Sequence, residues 1–75
     1  MKDLLDFILK GLLNGADYSI EETEEEGRIV YSIKTEAENA GLVIGKGGKM
    51  IKAIRNLLKV RATLEKKVVN VVLSE

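Results

Sequence analysis

The chain has 75 residues, which allows a single domain whose core shields only about 60–65% of the unfolded surface, so its stability margin is thin. It contains no cysteine and no histidine, which removes disulfides, the usual neutral-pH proton shuttle and the commonest metal ligand. Formal charge cancels, 12 basic side chains against 12 acidic, and no apolar run approaches the roughly 20 residues that span a bilayer. The start, Met1-Lys2-Asp3-Leu4, lacks a signal-peptide pattern. A soluble, cytoplasmic protein with no membrane contact is expected, which also fits the absence of cysteine.

Residues 2–14 read as a helix, because Leu5, Ile8, Leu9 and Leu12 recur at helical spacing. Asp3 in its first turn and Lys10 near its end suit the helix dipole, and Asn14-Gly15 is a stop signal. Leu4, Phe7 and Gly11 form a small apolar strip off the main face. Residues 17–24 and 28–34 read as strands, with Ile29, Tyr31 and Ile33 alternating with Val30, Ser32 and Lys34. Glu25-Glu26-Gly27 connects them, and the run Glu21-Glu22-Thr23-Glu24-Glu25-Glu26 reads as a solvated hairpin end. Thr35-Glu36-Ala37-Glu38 matches a capping box, so a short helix is expected just after Thr35, running toward Ile44.

The glycine run 45–48 interrupts that helix, and a longer one follows over roughly 48–62. Its apolar positions are Met50, Ile51, Ile54, Leu57 and Leu58, while Lys49, Lys52, Arg55 and Lys59 fall on the other side. Residues 66–73 read as a last strand, with Val69, Val71 and Leu73 on one face and Val68 and Val72 on the other. The order is helix, strand, strand, helix, helix, strand. A two-layer domain covers one sheet face, so the other is expected to stay exposed and to invite self-association or a partner protein.

The chemistry is concentrated in Gly41-Leu42-Val43-Ile44-Gly45-Lys46-Gly47-Gly48-Lys49-Met50-Ile51. Glycines between two helices let a sugar–phosphate backbone approach the main chain closely. The following helix N-terminus offers free N–H groups and positive potential to a phosphate. A Walker A loop would need Ser or Thr after Gly-Lys, where Gly47 stands, and a dinucleotide fingerprint would need a strand before the loop. A plain helix–helix turn is the alternative for the motif taken alone. Charge distribution argues against it. Residues 1–45 carry 4 basic and 10 acidic side chains, whereas residues 46–67 carry 8 basic ones (Lys46, Lys49, Lys52, Arg55, Lys59, Arg61, Lys66, Lys67) against Glu65 alone. A basic stripe starting at the glycine loop is an electrostatic footprint for a nucleic-acid backbone.

Val43-Ile44-Gly45-Lys46-Gly47-Gly48-Lys49-Met50-Ile51 resembles the signature of KH domains, an Ile-Gly-x-x-Gly loop with an apolar residue three positions on. The element order resembles the type II, bacterial form, and the resemblance spans residues 1–75. It implies an α+β fold in which a three-stranded sheet carries the helices on one face. It also implies a loop that clamps about four unpaired nucleotides. Carried onto this chain, the expected RNA-binding residues are Ile44, Gly45, Lys46, Gly47, Gly48, Lys49, Lys52 and Arg55. Ile44, Ile51 and part of Val69-Asn70-Val71 are the expected groove floor. Gly47 departs from the polar side chain often found at that loop position. The only aromatics are Phe7, Tyr18 and Tyr31, outside the basic third, which disfavours readers that stack bases on surface aromatics.

The reading is therefore a non-enzymatic binder of short single-stranded RNA, acting in post-transcriptional regulation or as an RNA chaperone, without cofactor or metal. The alternative is a protein–protein interaction or dimerisation module with little RNA binding of its own. The resemblance further implies pairing as a homodimer and with a larger KH protein of the Jag/KhpB type.

Overall fold

In the computed structural model, which describes residues 1–74, the elements follow the expected order. They are α1 (Lys2–Leu13), β1 (Tyr18–Glu25), β2 (Arg28–Thr35), α2 (Ala37–Ile44), a 3-10 turn (Lys46–Gly48), α3 (Lys49–Leu64) and β3 (Val68–Ser74). The sheet order is β1-β2-β3, with β1 antiparallel and β3 parallel to β2. This makes an α+β domain in two layers. No helix among the described residues is long and apolar enough to cross a membrane.

One sheet face supplies the core. Ile29, Tyr31 and Ile33 of β2 lie beside Val69, Val71 and Leu73 of β3. Leu5, Leu9 and Leu13 of α1, Val43 of α2 and Ile54, Leu58 and Ala62 of α3 close over them. The opposite face sets Arg28 beside Val68, Val30 beside Asn70 and Ser32 beside Val72. It is therefore a polar face dotted with valines rather than a continuous apolar one. The acidic hairpin end is exposed throughout, as expected. Its turn places Glu26 (φ 52) and Gly27 (φ 79) in the positive-φ conformation that suits a two-residue hairpin loop.

Several local expectations are refined. Thr35 is the last residue of β2 and caps nothing: its hydroxyl donates to the Asp17 carbonyl at 3.0 Å, and Glu36 is the N-cap residue of α2 without a side-chain cap bond. The strand end offered the hydroxyl a partner before the helix could. On α3, Met50 and Leu57 are outside the core and Ala62 is inside it, because the helix turns a narrower arc to the sheet than its apolar residues span. Of the strip on α1, Leu4 packs against the core's rim and Phe7 is 76% exposed. α3 also runs two residues further than its apolar pattern suggests. Lys66 takes positive φ (59), Lys66 N–H reaches the Thr63 carbonyl, and Lys67 N–H reaches that of Ala62, which is a Schellman closure made without glycine.

Both tyrosines tie the fold to alkaline pH. Burial, followed by the Asp6 carboxylate that accepts its hydroxyl proton, pushes Tyr18 up to about 12. Tyr31, fully enclosed in the core, is pushed to about 12 by burial and then by Glu22. A folded-state pKa above the unfolded value of about 10 means that the neutral phenols stabilise the fold fully below pH ~10. That stabilisation drains as pH rises through about 12. Phenolate absorbance and loss of circular dichroism are expected to rise together between pH ~10 and ~12. Phenolate appearing near pH 10 with the fold intact would contradict this.

Candidate functional site

The glycine loop is built by backbone constraint. Gly45 ends α2 at φ 76, ψ 171, a region that non-glycine residues essentially do not occupy. Its N–H closes on the Gly41 carbonyl at 2.8 Å. A Cβ placed on Gly45 would sit 2.5 Å from Met50 Cβ and 2.8 Å from Met50 N, so the first turn of α3 is seated directly against this glycine. Gly47 (φ 65, ψ 19) and Gly48 (φ 78, ψ 12) are left-handed, but a Cβ at either would meet open space. The three glycines therefore have different duties. Gly45 is demanded by the protein's own packing, and Gly47 and Gly48 leave a bare, accessible main chain.

Lys46 is exposed at the tip of the loop and Lys49 is exposed at the start of α3. Gly48 is the N-cap of α3 and supplies no capping side chain; its own N–H bonds the Gly45 carbonyl and that of Lys49 bonds the Lys46 carbonyl, so the helix start offers an anion chiefly its positive dipole end. Among the described residues Lys46, Lys49, Lys52 and Lys59 form no ion pair. The loop and its helix thus carry uncompensated positive charge, with no acidic residue between positions 39 and 64. Ile44 is 38% exposed beside the loop and Ile51 is half-buried below it, consistent with apolar contact at the margin of the site.

Arg55, expected as one cation of the basic stripe facing RNA, is also tied to the sheet. It is half-buried, and its Nε donates to the Val71 carbonyl on β3 at 3.1 Å. Lys52, Arg55 and Lys59 lie within about 60° of one another around α3, so all three border the cleft between α3 and the free edge of β3. Lys59 lines that cleft with Val68, Val69 and Asn70. Val69 and Val71 are buried, main chain included, so of the expected β3 part of the groove floor only Asn70 is accessible. The main-chain partner of Arg55 lies 16 residues on, and no sequence signal announces it.

A surface the motif does not include is also present on α3. Met50, Leu57, Val60 and Leu64 are 37, 54, 64 and 77% exposed, and with Ala53 they recur at the 3-4-3-4 spacing of a helix-pairing seam. Leu57 stands about 160° around the helix from Arg55, so the seam and the cleft occupy different sides.

A family model described as the KH domain of KhpA/KhpB matches residues 2–73. The RNA-binding protein KhpA of Thermotoga maritima is 42% identical over 59 residues, 77% of this chain and 79% of that protein. The RNA-binding protein KhpA of Clostridium acetobutylicum is 40% identical over 68 residues, 89% of this chain and 91% of that protein. Among solved structures, the crystal structure of APE1850 superposes with a TM-score of 0.67 at 34% identity, covering 93% of this chain and 49% of that one. The chain spans about half the length of that structure.

Proposed function

The chain belongs to the KhpA/KhpB family of KH domains, and from that membership we propose that it is a non-enzymatic RNA-binding protein whose Gly45–Gly48 loop clamps the backbone of a short unpaired strand. The observation that carries the reading is the loop itself. Bare main chain at Gly47 and Gly48 lies between Lys46 and Lys49, which form no ion pair among the described residues, at the uncapped start of a helix. Phosphates approach the main chain and the positive end of α3 there without meeting a side chain, Lys46 and Lys49 supply mobile charge, and Ile44 and Ile51 flank the bases. Lys52 and Lys59 extend the positive surface along α3. Such a contact reads few bases and suits a general post-transcriptional role or RNA chaperoning in the cytoplasm.

Three or four phosphate contacts on a single strand correspond to a slope of log affinity against log salt of about −2 to −3. Titrating fluorescent single-stranded and duplex oligoribonucleotides at several salt concentrations checks this. Preference for the duplex, or an affinity indifferent to salt, would contradict the site.

A second reading, self-pairing, is favoured by the exposed seam Met50-Ala53-Leu57-Val60-Leu64. Two copies meeting antiparallel about Leu57 bring Met50 of one against Leu64 of the other, and set the lysine-rich start of each α3 near Glu65 of its partner. A parallel arrangement would instead stack the lysines. The seam is short, so pairing is expected to be weak and dependent on concentration. Leu57→Glu is expected to give a monomer in sedimentation, with melting little changed because the residue is 54% exposed. Wild type that is monomeric at high concentration, or a variant that still dimerises, removes this surface from consideration. A larger KH protein of the Jag/KhpB type competing for the same seam would dissociate the homodimer in the same measurement.

A further inference from the structure

The free edge of β3 is closed at one residue by the protein's own side chains. β3 borders only β2, and Val71 has both main-chain groups occupied from elsewhere. Its N–H donates to Oδ1 of Asn70 at 2.9 Å, and its carbonyl accepts from Nε of Arg55 at 3.1 Å. The Val71 side chain is itself fully buried, so its main chain is held in place from behind. The two side chains in front are the adaptable part: Asn70 is exposed and Arg55 half-buried. Lys59 shares a neighbouring hollow with Asn70.

We propose that Asn70 and Arg55 form a latch that keeps the Val71 N–H and C=O occupied in the free protein and gives them up to a nucleobase when RNA binds. The inference rests on the RNA-binding reading above. To displace both side chains a ligand must offer an acceptor beside a donor. The Watson–Crick edge of an unpaired base does so, whereas in a duplex those groups are already engaged. The latch thus supplies a reason for single-strand selectivity that the loop, which touches only backbone, does not. It also lowers affinity, since an incoming base replaces hydrogen bonds rather than satisfying idle groups. Arg55 released from Val71 keeps its charge beside the strand, so its removal would both free a carbonyl and delete a cation. Asn70 is neutral and tests the latch alone.

Asn70→Ala, with Asn70→Val as a second variant that favours strand conformation, is compared with wild type. The readouts are binding of a single-stranded oligoribonucleotide of mixed sequence and amide hydrogen exchange at Val71. Losing one competing hydrogen bond is expected to tighten RNA binding by about two- to tenfold. Val71 exchange should be faster in the free variants, and saturating RNA should slow it in all three proteins. Unchanged or weaker binding by both variants overturns the latch, as does Val71 exchange that bound RNA leaves untouched. If wild type binds no RNA, the functional reading fails and the latch with it, an outcome distinct from variants that bind as wild type does.

Discussion

Gly45→Ala is expected to destabilise the domain by about 2–5 kcal/mol, the sum of a non-glycine residue in a glycine-only backbone region and an overpacked contact. The contact is not a flexible one. The added methyl meets the main-chain N of Met50 at 2.8 Å and its Cβ at 2.5 Å, so relief requires the whole first turn of α3 to move. That turn begins at Lys49, follows directly on the loop that carries Lys46, and leads into Ile54 and Leu58 of the core. A small domain has little to spare, so a substantial fall in melting temperature is expected, with RNA affinity falling alongside it. Gly47→Asn and Gly48→Asn are the contrast. Both positions are left-handed but unobstructed, and asparagine visits that conformation readily, so each should melt close to wild type. Chemical denaturation of the three variants separates the cases. A Gly45→Ala protein within about 1 kcal/mol of wild type would mean that the seat of α3 on Gly45 is not rigid.

The behaviour of these glycines shows where sequence reasoning stops. Their presence between two helices, beside a run of lysines, was enough to propose a site. Which glycine the fold itself demands and which is left bare depends on a contact with Met50 that only the folded backbone defines. The strands were legible because burial on one face imposes strict alternation on Ile29, Tyr31 and Ile33. α3 was legible as a helix but not in its orientation. Its apolar residues cover a wide arc, and helical spacing alone cannot separate the part that faces the sheet (Ile54, Leu58, Ala62) from the part that faces outward (Met50, Leu57, Val60, Leu64). Thr35 satisfied a capping pattern and a strand end equally well, and the Asp17 carbonyl 18 residues away in sequence decided between them. The end of α3 was missed because Lys66 adopts the left-handed turn that glycine usually marks. Arg55 read only as one cation of the basic stripe because its partner is a main-chain carbonyl, which leaves no trace in residue identity.

Lys46→Asp with Gly47→Asp is expected to abolish RNA binding while leaving the fold in place. The two substitutions exchange one positive charge for two negative ones at the position where phosphates are proposed to lie. At close range and partial exposure each repulsion is on the order of 1–4 kcal/mol, so the pair should lower affinity by at least about thirtyfold. Stability should respond far less. Lys46 is exposed and forms no ion pair among the described residues. A Cβ at position 47 meets nothing within 4 Å, and aspartate tolerates the φ of 65 found there. Two acids just ahead of α3 even oppose its dipole favourably. Ile54→Asp provides the opposite profile. It drives an unpaired carboxylate into a position 1% exposed among Leu58, Val43 and the strands, where the desolvation cost exceeds what so small a domain can absorb. Melting and RNA titration on the same preparations of all three proteins give the decisive comparison. If the loop variant melts like wild type and binds RNA equally well, Gly45–Gly48 is only a turn, and the basic surface of α3 would have to bind RNA without it.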